Sequence, residues 1–288
     1  MEKDFNKLIF NMRESIRTYD YFVNWDKVKA NVKKIKTELN IINSLIGSNN
    51  FEIDFKNLLN KYPEIILTIP YLLAIRDKEL KIIRNYKNLD LEYDLYNFDR
   101  SKIDSVKLLL LIKKTGLINL FYDKTIKNFE DYIYGVEVGL DSNGRKNRSG
   151  KIMENILEAY IKENLDLSKI EYIPQATVKK ISDKWNISIK INKSSRKFDF
   201  AIFNKAKNKL FLVETNFYNG GGSKLKSVCG EFRTLSKELL NQNIDLIWVT
   251  DGKGWLTAKK PLEESFVDNK YILNLKMIEN GVLNEIID

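Results

Sequence analysis

Two acidic residues, Asp199 and Glu214, stand where their charge demands an explanation. They lie in the segment from Arg196 to Tyr218, RKFDFAIFNKAKNKLFLVETNFY, in which two apolar runs flank the polar stretch NKAKNK. Such a pattern predicts a β-hairpin. If Phe203 pairs with Leu210, extension of that register sets Asp199 opposite Glu214. Like charges facing each other across an antiparallel pair repel, and apolar neighbours lower the local dielectric and sharpen the repulsion. A hard divalent cation would relieve it, since Mg²⁺ takes oxygen ligands at about 2.0 to 2.1 Å and keeps several waters. Side chains alternate along a strand, so Asn216 would project from the same face as Glu214. The alternative is a strand-end aspartate and a glutamate paired with a lysine.

Composition removes most competing chemistries. The chain has no histidine, which excludes Ser-His-Asp hydrolases, HExxH metalloproteases and nucleases with a histidine base. Its single cysteine, Cys229, excludes disulfide frameworks and Cys-based zinc sites. Hydrolysis would have to rest on carboxylates, lysines and a hard cation. Gly144 to Lys151, GRKNRSGK, is not a phosphate loop, because five residues separate its glycines and Ile152 stands where Ser or Thr is needed. Lys and Arg outnumber Asp and Glu by 48 to 39, and the net charge of +9 favours a polyanionic partner, nucleic acid first. The start, MEKDFNKLIF, lacks a signal-peptide core and no long apolar run follows, so a soluble cytoplasmic protein is expected.

A helix is expected to begin near Ser149, with Ile152, Ile156, Leu157, Tyr160 and Ile161 on one face. Glu154 falls beside Ile161 at the border of that stripe, where a carboxylate could enter a cleft or simply reach water. Just ahead, Arg145, Lys146, Arg148 and Lys151 form a cationic cluster suited to DNA phosphates, and an arginine there could read guanine O6 and N7. The alternative is a solvated basic loop.

These groups must be positioned by two different textures of sequence. From about Phe5 to Lys127 apolar residues recur at helical spacing, as in Val28, Val32, Ile35, Leu39, Ile42 and Leu45, with Gly47 as a stop. Further helices are expected over Phe55 to Lys61 and Pro70 to Asn85, and a glycine-rich loop over Gly135 to Gly150. Beyond Glu171 short runs rich in branched and aromatic residues predict strands at Trp185 to Ile191, Phe198 to Phe203, Leu210 to Phe217 and Asp245 to Thr250. Helical spacing returns from Leu225 to Leu240. The expectation is an α/β (α+β) protein: a helical region, 1–130, followed by a mixed sheet flanked by helices, 131–288.

The spacing of Asp199 and Glu214 resembles the PD-(D/E)xK nuclease superfamily, which implies a Mg²⁺ site, with Mn²⁺ as a substitute, beside the scissile phosphate. The resemblance also implies that Glu154 completes the metal shell with Asp199 and Glu214. Asn216 stands where the superfamily has its lysine, so Lys224 or Lys197 are the candidate replacements, or Asn216 itself positions the water. The wording of NVKKIKTELNIINSLIG from Asn31, YIYGVEVGLDSNGRKNRSGKIMENIL from Tyr132, VETNFYNGGGSKL from Val213 and IWVTDGKGWLTAKKPLEE from Ile247 is more specific. It resembles the DpnII/MboI type of restriction endonuclease. That resemblance implies cleavage of duplex DNA at unmethylated GATC, 5′ of the guanine, by a homodimer paired with a GATC adenine methyltransferase. The N-terminal helices would clasp DNA, dimerise or stabilise the fold. Competing readings are a non-catalytic DNA-binding protein and a structure-specific repair or RNA nuclease.

Overall fold

The computed structural model describes residues 3–85, 92–192 and 195–288. The chain forms two compact units, one of residues 22–145 and one that joins the first 21 residues to residues 146–288. The division therefore falls at Arg145 and not at residue 130, and the N-terminal segment belongs with the sheet.

In the sheet unit the N-terminal helix α1 (Phe5–Phe10) is capped by Asp4, whose side chain accepts from Lys7 N. In the other unit, α2 (Trp25–Lys33) and α3 (Lys36–Ile42) carry the expected stripe, broken near Ile35, and Gly47 takes a left-handed φ of 75°. Helices α4 (Phe51–Lys61) and α5 (Thr68–Leu72) follow. The helix expected over Pro70 to Asn85 is not formed. It stops at Leu72, Ala74 turns through a φ of 59°, and β1 (Glu79–Asn85) pairs antiparallel with β2 (Glu92–Asn97). Leu80 and Ile82 pack inward while Ile83 is exposed, an alternation that pairing with the following strand makes useful.

Helices α6 (Ser105–Lys114), α7 (Ile118–Tyr122) and α8 (Phe129–Ser142) complete this unit. The loop expected over Gly135 to Gly150 is likewise absent: α8 runs through Gly135 and Gly139, and α9 (Arg145–Asn164) begins after Asn143 and Gly144. The buried stripe of α8 is Phe129, Ile133, Glu137 and Asp141, and its two acids hid the helical period from a hydrophobic reading. Glu137 is held by Arg76 and by Asn31 Nδ2 at 2.9 Å; Asp141 accepts from Asn24 N at 2.9 Å and Lys27 Nζ at 3.3 Å. Burial of these charges is tolerable because each is paired.

The sheet unit continues with β3 (Ile170–Thr177), α10 (Val178–Trp185), β4 (Lys197–Asn204), β5 (Lys209–Phe217) and α11 (Ser223–Leu240). Next come β6 (Asp245–Asp251), α12 (Lys259–Asp268), β7 (Tyr271–Leu273), α13 (Leu275–Glu279) and α14 (Val282–Ile287). The strand expected over Trp185 to Ile191 is replaced by the end of α10, closed by Asn186 in the left-handed region, and an unpaired segment. Its apolar residues Ile187, Ile189 and Ile191 still pack on the core, so the alternation records burial and not pairing.

The five strands lie in the order β3-β4-β5-β6-β7, antiparallel from β3 to β5 and parallel from β5 to β7. One face packs Met153, Leu157 and Ile161 of α9 with Ile278, Leu283 and Ile287; the other packs α11, α12, Leu8 and Ile181. Burying each such Leu or Ile contributes about 1.5 to 3 kcal/mol. Among the described residues no helix is long and apolar enough to cross a membrane.

Candidate active site

The β4–β5 hairpin has the register expected from sequence, with Phe203 opposite Leu210 and the pairing continuing to Phe200 opposite Val213. The paired register ends there; extended by one step it would set Asp199 level with Glu214, and Asp199 bonds to the next residue, Thr215. On the other side Pro174 pairs with Phe200 and Ala176 with Phe198, which sets Gln175 level with Asp199. Glu214 in turn pairs with Trp248 of β6. Gln175, Asp199 and Glu214 thus lie on the neighbouring strands β3, β4 and β5 where β4 begins and β5 ends, with the core residue Trp248 beyond them.

Each acid has its own anchor. Asp199 Oδ2 accepts from Thr215 N at 2.7 Å and Thr215 Oγ1 at 2.9 Å. Glu214 Oε1 accepts from Arg196 Nε at 3.1 Å and Nη2 at 3.0 Å, while Arg196 Nη1 reaches Glu231 of α11 at 2.9 Å. Glu154, from the third turn of α9, accepts at Oε2 from Gln175 Nε2 at 2.7 Å and Lys151 Nζ at 3.2 Å. Among the described residues no hydrogen bond reaches Asp199 Oδ1 or Glu214 Oε2.

The three carboxyls share one electrostatic field. Burial pushes Glu214 up to about 8, and the charge of Asp199 adds to the rise against the pull of Arg196. Asp199 is raised by burial, opposed by its bonds to Thr215 and by Lys151 and Lys197. Glu154 is raised by burial and then by Asp199, with Lys151 and Lys197 opposing. Among the described residues no three acids close into a formed ion cage. The donor set is nevertheless all carboxylate oxygen, and among the described residues no hydrogen bond engages the second oxygens of Asp199 and Glu214. Those features suit a hard divalent cation and not a soft one.

The profile of the DpnII restriction endonuclease family matches residues 4–285. The chain belongs to the DpnII restriction endonuclease family. It is 46% identical to the type II restriction enzyme MjaIII of Methanocaldococcus jannaschii, over 99% of both chains. Identity is 32% with the type II restriction enzyme DpnII of Streptococcus pneumoniae, over 99% of this chain and 98% of that one. With the type II restriction enzyme MboI of Moraxella bovis it is 34%, over 96% and 93%. No solved structure matches the chain. As a member of the DpnII family, the protein is a type II restriction endonuclease, a site-specific deoxyribonuclease of a class that acts on double-stranded DNA.

The remaining candidates of this DpnII-family chain are distributed unevenly. Asn216 Oδ1 accepts from Trp248 Nε1 at 3.0 Å and Thr250 Oγ1 at 2.7 Å, which fixes the amide and turns its nitrogen the other way. Lys224 is exposed in the first turn of α11, and among the described residues no hydrogen bond or ion pair joins it to any of the three acids. Lys197 and Lys151 do act on Asp199 and Glu154. Arg145, Lys146, Arg148 and Lys151 occupy the first two turns of α9, where Arg145 Nε donates to Phe22 O at 3.3 Å and Arg148 Nε to Tyr21 O at 2.7 Å. Sequence reasoning missed Arg196, Gln175 and the second use of Lys151. Arg196 had a signal, a cation three residues before Asp199; Gln175 had none.

Proposed function

We propose that this chain hydrolyses duplex DNA at unmethylated GATC, 5′ of the guanine, with Mg²⁺ held by Asp199, Glu214 and Glu154. The observation that carries the proposal is the shared field of those three carboxyls, the first two unpaired at one oxygen each. A bound divalent cation would supply activation of the attacking water and offset the charge that builds on the phosphate. Asp199 is aimed by Thr215 and Glu214 by Arg196, so neither has to search for its orientation. Lys197 or Lys151 orients the water in place of the superfamily lysine, and the fixed amide of Asn216 lies on the same strand face. Lys146, Lys151 and the two arginines meet phosphates or bases. Four cations at a helix N-terminus oppose the helix dipole, a placement that a bound phosphate would turn to advantage.

The GATC target is supported by the wording of the four segments quoted above. A four-base palindrome is most simply read by a two-fold symmetric protein, so a homodimer on DNA, beside a GATC adenine methyltransferase in the same cytoplasm, completes the reading. The test is digestion of plasmid carrying GATC, with and without adenine methylation, by the protein and by Asp199→Ala. Expected are discrete fragments ending at GATC that need Mg²⁺ or Mn²⁺, vanish with chelator or methylation, and are absent with the variant. Fragments with other ends would refute the target; undiminished cutting by Asp199→Ala would refute the site.

A further inference from the structure

Gln175 sits inside β3 with a φ of 50°, a left-handed conformation that side chains other than glycine rarely adopt. No inserted residue accounts for it, because Pro174 and Ala176 on either side keep one register with β4. The twist turns a strand residue toward α9: Nε2 donates to Glu154 Oε2 at 2.7 Å, and Gln175 O accepts from Lys180 Nζ at 3.2 Å. In the register Gln175 is level with Asp199. Backbone strain kept without a packing reason points to function at that position. A neutral amide is also the right donor, since it fixes one oxygen of Glu154 without cancelling the charge a cation would need. The other hold on Glu154, Lys151, is exposed and charged, so a DNA phosphate would compete for it.

We propose that Gln175 is a positioning residue that holds Glu154 toward Asp199 for capture of the divalent cation. This rests on the metal-dependent reading above and adds to it a residue outside the three acids. Calorimetric titration of DNA-free protein with Mn²⁺, beside thermal melts, tests it in wild type, Asp199→Ala, Gln175→Gly and Gln175→Asn. Glycine accepts the positive φ without strain, and asparagine tolerates it but is one methylene too short to reach Glu154. Both variants are expected to melt no lower than wild type yet bind Mn²⁺ about tenfold more weakly, the scale of losing an outer partner of a metal ligand. Cleavage should then need more Mg²⁺ for half-saturation while the saturated rate stays close to wild type. Wild-type affinity in both variants, with binding lost in Asp199→Ala, overturns the role of Gln175 alone. Lack of Mn²⁺ binding by the wild type overturns both readings. Weakened binding accompanied by lower melting in both variants marks Gln175 as a structural strand residue and overturns it too.

Discussion

Arg196 places two guanidinium nitrogens, Nε and Nη2, on a single oxygen of Glu214, and both side chains are mostly buried, 15% and 12% exposed. The guanidinium also lies over the rings of Phe198 and Phe232, so the pair is packed as well as bonded. Among the described residues it leaves the second oxygen of Glu214 without a hydrogen bond, and so open to the cation proposed above.

Arg196→Met should therefore lower stability. Removing one partner of a buried ion pair costs about 3 to 5 kcal/mol. With its carboxyl pushed up to about 8, Glu214 already holds a proton most of the time at pH 7, so a loss below that range is expected in denaturant melts at pH 7 and a larger one above pH 8. Adding Glu214→Gln to Arg196→Met should recover part of it; a double variant no more stable than the single would contradict the pairing.

The raised pKa of Glu214 gives stability a pH dependence of definite sign. The folded carboxyl binds its proton more tightly than the unfolded one, so in metal-free protein this contribution is complete below the unfolded value of 4.5. It is lost as pH rises toward the folded value of about 8. Between pH 5 and 8 the wild type should lose stability relative to Glu214→Gln, and Mn²⁺ binding should release a proton and weaken as pH falls. Parallel stability curves for the two proteins would show that Glu214 titrates normally.

The lysine question is open to direct measurement. Lys197 and Lys151 are leading cationic influences on Asp199 and Glu154, and Lys224 is not among them. Cleavage by Lys224→Ala should stay within a few-fold of wild type. Lys197→Ala or Lys151→Ala should cost about a hundredfold or more, the range of a group that handles the proton of a reacting water. Both of these variants cleaving normally, with Lys224→Ala inactive, would reverse the assignment.

Asp251 is fully buried at the end of β6 and accepts from Arg13 N at 2.6 Å, Gly252 N at 2.6 Å and Leu275 N at 2.9 Å. It ties the N-terminal segment to the sheet. Asp251→Ala would strand buried donors at about 1 to 3 kcal/mol each, so trypsin should cut at Arg13 or Arg17 sooner than in wild type. Unchanged protection of that segment would mean that Leu8 and Met12 hold it by packing alone.

The hairpin was legible because its signal is local: Phe203 and Leu210 flank a short polar turn, and alternation then fixes the faces of Asp199 and Glu214. The long stripe of α11 was legible for the same reason. The helix α8 was not, since Glu137 and Asp141 fill its inner face, and partners far away in sequence, among them Arg76, Asn31, Asn24 and Lys27, make those acids buriable. Nor was the β1–β2 pair, where a run that reads as helix becomes strand because a partner lies beside it.

By itself the sequence determined which chemistry was possible: the lack of histidine left carboxylates and cations, and the register of one hairpin brought two of those carboxylates level. The tertiary structure decided which distant groups meet, setting Gln175 of β3 on Glu154 of α9 and Arg196, ahead of β4, on Glu214. Charge and burial are properties of a neighbourhood in space. A linear pattern records them only where neighbours in space are also neighbours in the chain.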